Sequence, residues 1–261
     1  MGTCTRIHDR LESNDAALGA RATAISPTLA EVYGRLGFDF VWVDLEHTGP
    51  SADDATALEH LVRAADLAGT ELLVRIPGRE PHTVRKVLDA GVRTVLVPRV
   101  ETAAEVRTVV RAGRFAYDGG SGDRGAAAGY SSRWGNPPDG YPAREDETVR
   151  IGVMLENETA VGNVDDILAV PDLGFVFVGP SDLSISLGHP FETTHPTVLD
   201  AIETVRAAAV AENVPLGGIR NGIEEARNAI EDGYRILRIG DEVSAVRSVL
   251  GPRLDEIRTD G

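Results

Sequence analysis

Ile151-Gly-Val-Met-Leu-Glu156 and Phe175-Val-Phe-Val-Gly-Pro-Ser-Asp182-Leu-Ser184 are two apolar runs, each leading into an acidic residue. Both runs are too short and too β-branched for helices. Between them, Val161, Val164, Ile167 and Leu168 recur at helical spacing within residues 159–170. Strand, helix and strand in that order predict two parallel strands joined by a right-handed crossover. Neighbouring strand ends lie about 4.8 Å apart, so Glu156 and Asp182 are expected to converge on one cation. Two hard oxygen donors suit Mg²⁺ or Mn²⁺, with Co²⁺ as a third choice, and leave coordination positions for substrate. The competing account gives Glu156 a salt bridge and makes Asp182 a helix cap. The setting of the pair, one member inside Gly-Pro-Ser-Asp-Leu-Ser, favours the metal.

The same alternation extends in both directions. Strands are expected at 22–26, 38–43, 71–76 and 94–100, with helices at 27–36, from Ser51 onward, at 81–89 and at 103–112. After 151–156 and 175–178 come a helix at 196–211, a strand at 216–219 and a helix at 224–231. A strand at 234–239 and a helix at 244–257 close the chain. Eight strands alternating with eight helices, and no second hydrophobic centre, predict a single-domain (β/α)₈ TIM barrel of the α/β class over residues 1–261. A doubly wound sheet is the rival, but the first strand is followed by no glycine-rich dinucleotide fingerprint. Residues 115–150, rich in Gly, Asp, Ser and Pro, are too long for an ordinary connection and read as a lid, an interface arm or a mobile segment. Gly217-Gly218 with Gly222 can cradle a phosphate or make a tight turn; with only Arg220 nearby, the turn is the better account.

Composition narrows the function. A net charge of −15 over 261 residues argues against nucleic acid or an anionic membrane as partner. No apolar run is long enough to span a bilayer, and the N-terminus lacks a signal-peptide core. Cys4 is the only cysteine, which suits a reducing cytoplasm. Lys86 is the only lysine, and it falls on a helix rather than at a strand end. Schiff-base chemistry is therefore not expected, and no organic cofactor is called for. Abundant carboxylates with almost no lysine match a halophilic cytoplasm; a high-GC genome would also favour Arg over Lys.

In such a barrel, chemistry gathers at the carboxyl ends of strands. Those ends hold Asp44, Glu46 and His47 on the second strand and Arg75 on the third, with Glu156 and Asp182 on the next pair. A cation to polarise a ketone, an Arg to hold developing negative charge and a His to move protons form a coherent set. Each has a structural alternative: His47 buried and satisfied by Asp44, Arg75 paired with Glu46 or Glu101, Glu46 merely orienting its neighbours. No basic cluster is evident near the mouth. The remaining histidines, His8, His60, His82, His189 and His195, receive no role.

These residues resemble a known family. Phe38-Asp-Phe-Val-Trp-Val-Asp-Leu-Glu-His47, Val74-Arg75 with Pro77, Leu88-Asp89-Ala-Gly91 and Leu96-Val97-Pro98 are similar to motifs of the HpcH/HpaI aldolases. Gly122-Asp-Arg-Gly125, Ser132-Arg-Trp134, Glu156 and Gly179-Pro-Ser-Asp-Leu-Ser184 continue the likeness in order. The resemblance implies a class II pyruvate aldolase, joining pyruvate to an aldehyde or cleaving 4-hydroxy-2-oxo acids through a metal-stabilised enolate. It implies Glu156 and Asp182 as metal ligands and Arg75 at the keto oxygen. His47 becomes the acid/base, acting with Asp44 or a metal-bound water, and Gly179 and Ser181 hold the pyruvate carboxylate. Asp89 matches an acidic residue that reaches a neighbouring subunit's histidine, within a homo-oligomer that is commonly a hexamer. One departure stands out: Met154 occupies a position where these aldolases usually carry Gln. The rivals are an acyl-CoA carbon–carbon lyase of the citrate lyase β or malyl-CoA lyase type, and a barrel that binds a keto acid without turning it over.

The charge pattern has a direct test. On dialysis from molar salt into dilute buffer, a halophilic chain should lose its far-ultraviolet circular dichroism; an unchanged spectrum would leave genome composition as the explanation.

Overall fold

Closure of the sheet fixes every barrel strand in this chain, because β1 pairs in parallel with both the second strand and the last. The computed structural model describes residues 4–259. A short helix α1 (Arg6–Glu12) precedes β1 (Ala17–Arg21). There follow α2 (Pro27–Leu36), β2 (Phe40–Asp44), α3 (Ala55–Ala68), β3 (Glu71–Arg75), α4 (Pro81–Asp89), β4 (Thr94–Val97) and α5 (Ala103–Ala112). A hairpin of β5 (Ala116–Tyr117) and β6 (Gly120–Ser121) leads to α6 (Tyr141–Thr148). The second half runs β7 (Arg150–Leu155), α7 (Glu158–Gly162), α8 (Val164–Leu168), β8 (Phe175–Val178), α9 (Pro180–Ser186) and α10 (Pro196–Ala211). It ends with β9 (Leu216–Ile219), α11 (Ile223–Glu231), β10 (Tyr234–Asp241) and α12 (Glu242–Thr259). The closed order is β1-β10-β9-β8-β7-β4-β3-β2, all parallel, which is the expected (β/α)₈ barrel.

Side chains alternate across each strand, so the barrel has two apolar layers. Val41, Val43, Leu72, Val74, Val95, Val97 and Val153 face the helices. Phe40, Trp42, Leu73, Leu96, Met154, Phe175, Phe177 and Ile236 fill the interior, and Ile7 of α1 joins them. The interior rings need glycine opposite them: a Cβ on Gly152 would lie 2.3 Å from the Phe175 ring, and one on Gly217 would lie 2.2 Å from Phe177. Gly217 and Gly218 are thus part of β9, giving clearance to a neighbouring ring. They form neither a phosphate cradle nor a turn.

Three expectations change. The first strand is 17–21, not 22–26; Ala17-Leu-Gly-Ala-Arg21 has little intrinsic β propensity and is held by pairing on both edges. The helix expected over 159–170 breaks at Asn163, which ends α7 and begins α8. The 115–150 segment connects the end of α5 to the start of β7, so it lies at the base, opposite the strand carboxyl ends. It cannot be a lid over its own barrel mouth. Nor is it loose, because Glu145 bridges Arg93 at 3.0 Å and Arg124 at 2.8 Å with all three residues buried.

Glu71 is buried at the same base, accepting from the Ile7 backbone N–H at 2.9 Å and the Thr94 hydroxyl at 2.6 Å. Burial pushes its carboxyl from an ordinary 4.5 up to about 7, although both hydrogen bonds oppose the shift. The folded value lies above the unfolded one, so the neutral acid is the favoured form in the fold. Stability is then full below about pH 4.5 and falls as pH rises through 7, by on the order of 3 kcal/mol. Glu71→Gln keeps the shape and cannot ionise. Its melting temperature should equal the parent's near pH 5 and exceed it at pH 8; parallel pH profiles would refute the assignment.

Candidate active site

Where the inward rows reach the carboxyl ends of the strands, carbon gives way to charge. On β2 the row Phe40, Trp42 ends in Asp44; on β3 Leu73 is followed by Arg75; on β7 Met154 is followed by Glu156. Register sets Asp44 directly beside Arg75. Arg75 donates from Nε to Asp44 Oδ1 at 3.0 Å and from Nη2 to Oδ2 at 2.6 Å, a two-pronged ion pair between buried groups. Its third nitrogen, Nη1, lies 2.9 Å from Glu46 Oε2 and 3.9 Å from the Met154 sulfur. Met154, at the unusual position, therefore packs against the guanidinium.

Asp44 also accepts the backbone N–H groups of Glu46 and His47, at 3.1 and 3.4 Å, and Arg21 Nη2 at 3.3 Å. Burial works to raise this carboxyl, but Arg75 and the two amides outweigh it and hold it below the usual range. Burial likewise works against the Arg75 charge, which Asp44, Glu46 and Glu156 together keep in place. With its oxygens so engaged, Asp44 does not orient the His47 ring, as one expectation had it. The His47 side chain is 51 % exposed, and its Nε2 lies 3.5 Å from Glu46 Oε2. His47 is therefore neither buried nor satisfied by Asp44, and Asp44 instead positions Arg75.

Glu156 is 4 % exposed. Its Oε1 accepts the backbone N–H of Arg99 at 2.7 Å. Arg99 adopts a φ of +56°, a left-handed conformation that costs an L-residue about 1 kcal/mol. The guanidinium of Arg99 then reaches Glu46 Oε1 at 3.2 Å. Burial, with the charges of Asp182 and Glu46, drives the Glu156 carboxyl up to about 7 against the Arg99 amide and Arg75. Asp182 lies in the first turn of α9 rather than on a strand. It does not cap that helix, whose N-cap is Gly179 without a side-chain bond, and its side chain makes no hydrogen bond among the described residues. A Cβ on Gly179 would lie 2.9 Å from Glu156 Oε2, so only glycine brings the backbone this close. A buried carboxylate, a second close enough to repel it, and oxygen-only donors fit a divalent cation.

The structure does not bring Asp89 to His47 within one chain. Asp89 ends α4 at the base of the barrel, beneath Ser131, with Arg124, Glu145 and Arg85 as its charged surroundings. Ser181 lies exposed in α9 beside Asp182. A cavity of about 510 Å³ opens on the flank between α3 and the 115–150 segment, lined by Arg63, Tyr130 and Trp134 among others. It contains none of the strand-end residues. His189, Glu192 and His195 each bring a ligand-type atom within 4.8 Å, but the rings stack at 3.5 Å and His195 caps α10, so packing and capping account for them.

Sequence reading missed three arginines and, with them, a basic cluster at the mouth. Arg99 was hidden because its backbone, not its side chain, holds Glu156. Arg21 was displaced by the misplaced first strand. Arg238 lies on β10 and faces inward, as its alternation with interior Ile236 and outward Leu237 shows. That alternation was the available signal.

The HpcH/HpaI aldolase/citrate lyase family model matches residues 22–248. This chain belongs to that family. It is 32 % identical over 239 residues to the 5-keto-4-deoxy-D-glucarate aldolase of Klebsiella pneumoniae, covering 91 % of each chain. Among solved structures it is similar to an HpcH/HpaI aldolase/citrate lyase family protein of Burkholderia cenocepacia, with a TM-score of 0.89, 31 % identity and 97 % and 99 % of the two chains covered. Citrate synthase SbnG aligns with a TM-score of 0.86 at 26 % identity, over 97 % and 98 %. Membership of this HpcH/HpaI family makes the protein a carbon–carbon lyase.

Charge at the mouth predicts which groups a cation needs. Glu156→Gln and Asp182→Asn should each weaken Mn²⁺ binding by at least about a hundredfold, measured by titration, with circular dichroism unchanged. Affinity retained in both variants would remove the metal from this site.

Proposed function

We propose that this family member is a divalent-metal-dependent aldolase acting on 4-hydroxy-2-oxo acids, with pyruvate as the common product or nucleophile. The observation that carries the reading is the assembly of Arg75, held on two sides by Asp44 and Glu46, beside the buried Glu156 with Asp182. A cation on Glu156 and Asp182 would supply polarisation of the 2-oxo carbonyl. Arg75 Nη1, bonded to Glu46, carries a second N–H able to hold negative charge as it develops on the keto oxygen. Its fixed geometry means little reorganisation is needed when the C3–C4 bond breaks to leave an enolate and an aldehyde. His47, half exposed and next to Glu46, is placed to take the C4 hydroxyl proton and return one to C3. Gly179 opens space beside Glu156, and Ser181 lies two residues on, where the substrate carboxylate would rest.

Homo-oligomerisation belongs to the same reading. Asp89 lies at the base, so it can serve a histidine only across a subunit boundary. On α12, Val246, Val249, Leu250, Leu254 and Ile257 are each 47–75 % exposed and recur at helical spacing, an apolar face suited to a second copy. A hexamer follows from the family resemblance. The relatives named for 5-keto-4-deoxy-D-glucarate support a sugar-acid-derived substrate. The likeness to a citrate synthase keeps acyl-thioester chemistry as a second reading, favoured if CoA thioesters but not pyruvate protect against thermal unfolding.

Exchange of pyruvate's methyl protons in D₂O, followed by NMR, tests the first half-reaction without needing the aldehyde. It should require Mg²⁺ or Mn²⁺, stop with EDTA, and fall about 10²- to 10³-fold in Arg75→Lys. A silent binder would show no exchange at any metal concentration.

A further inference from the structure

Arg21 and Arg238 stand on the adjacent strands β1 and β10, across the barrel mouth from β7 and Glu156. Both face inward. Arg21 pairs in register with interior Trp42, and Arg238 pairs with Ile219, which packs against the interior cluster. Each has a buried Nε that finds no hydrogen-bond partner among the described residues. Their remaining contacts are long: Arg21 Nη2 to Asp44 Oδ2 at 3.3 Å, and Arg238 Nη2 to Asn221 Oδ1 at 3.5 Å. The nearby carboxylates are already engaged. Asp44 is gripped by Arg75, and Asp241 accepts from Ser244 N and Oγ at 2.8 and 2.9 Å. Burial and then the guanidiniums of Arg21 and Arg75 work against the charge on Arg238, and together they outweigh the support it draws from Asp241. Two half-buried, mutually repelling guanidiniums, each with a buried and unpaired Nε, are costly unless an anion completes them.

We infer that Arg21 and Arg238 form a carboxylate subsite that holds the far end of the substrate, so that the preferred oxo acid is a dicarboxylate. This rests on the aldolase reading for the near end, where the 2-oxo acid head would lie by Glu156, Asp182 and Arg75. The topology then spans the substrate from β7 and β8 to β10 and β1, with the scissile bond between two anchors. A planar carboxylate can take N–H donors from both arginines, and lysine would supply charge without that fork.

The test is equilibrium binding with Mg²⁺ present. Each 2-oxo dicarboxylate is compared with a partner in which the distal carboxylate is replaced by an uncharged isopropyl group of similar shape. The pairs are 2-oxoglutarate with 4-methyl-2-oxopentanoate, and 2-oxoadipate with 5-methyl-2-oxohexanoate. In at least one pair the parent protein should prefer the dicarboxylate by at least about thirtyfold. Arg238→Met and Arg21→Met should each reduce that ratio to about threefold or less, and Arg238→Lys should retain part of it. No preference in either pair, or a preference that survives both methionine variants, overturns the inference. Pyruvate binding and methyl-proton exchange are followed in the same samples. Their failure in the parent protein sinks the aldolase reading, whereas a parent without the tail preference, or one whose preference survives both methionine variants, sinks the subsite alone when pyruvate exchange is intact.

Discussion

The Asp44–Arg75 pair is the constraint around which the mouth is arranged. Asp44 has no solvent exposure, and Arg75 is nearly as deep, so neither could be charged there without the other. Their two parallel hydrogen bonds fix the guanidinium plane, and Glu46 fixes it from a second direction. Once oriented, Arg75 is held with Nη1 against Glu46 and beside the Met154 sulfur. Asp44 also gathers the amides that follow β2, so the Leu45–His47 turn is folded around the same carboxylate. A single acidic residue thereby orients both the Arg75 guanidinium and the segment that carries His47.

The opposite wall is built on frustration. Glu156 is buried beside two other acids with one backbone amide as its closest hydrogen bond, and that amide belongs to a residue in a strained conformation. Such an arrangement persists because surrounding packing determines it, here the interior rings and the glycines that admit them. Charges at the mouth are thus sorted by wall. Acids cluster at β7 and α9, and arginines at β10, β1 and β3, with Glu46 and Asp44 between them. A substrate carrying a polarisable ketone and separate anionic groups matches that polarity.

Much of the architecture was legible because period-two and period-3.6 patterns survive in any chain that must bury one face of each element. α4, α5, α10 and β9 follow the expected bounds for that reason. The first strand was not legible: Ala17-Leu-Gly-Ala-Arg21 carries glycine where Phe40 needs room, and tertiary pairing overrides its weak propensity. At the site, Arg75, Glu156 and Asp44 could be found because strand ends concentrate chemistry. Their partnerships could not. Which oxygen of Asp44 meets which nitrogen depends on register across strands, and Arg99 contributes a backbone N–H that no side-chain inventory reveals. The position of the 115–150 segment was recoverable in principle, since a connection from helix to strand must lie at the barrel's base.

The arginine cluster also has to be weighed against a surface that carries −15 overall. At distances beyond a Debye length, about 8–10 Å at ordinary ionic strength, an anionic substrate approaching this protein is screened from that excess. Inside the mouth the balance is local, and low-dielectric walls magnify it. Only within that length does the acidic surface repel an approaching anion, and short-range contacts must supply the affinity. Raising salt weakens the long-range repulsion more than it weakens buried, hydrogen-bonded charge pairs. The acidic surface thus leaves recognition of an anion to the few inward-facing guanidiniums of the mouth, where the unpaired Nε groups of Arg21 and Arg238 are the donors an anion would complete.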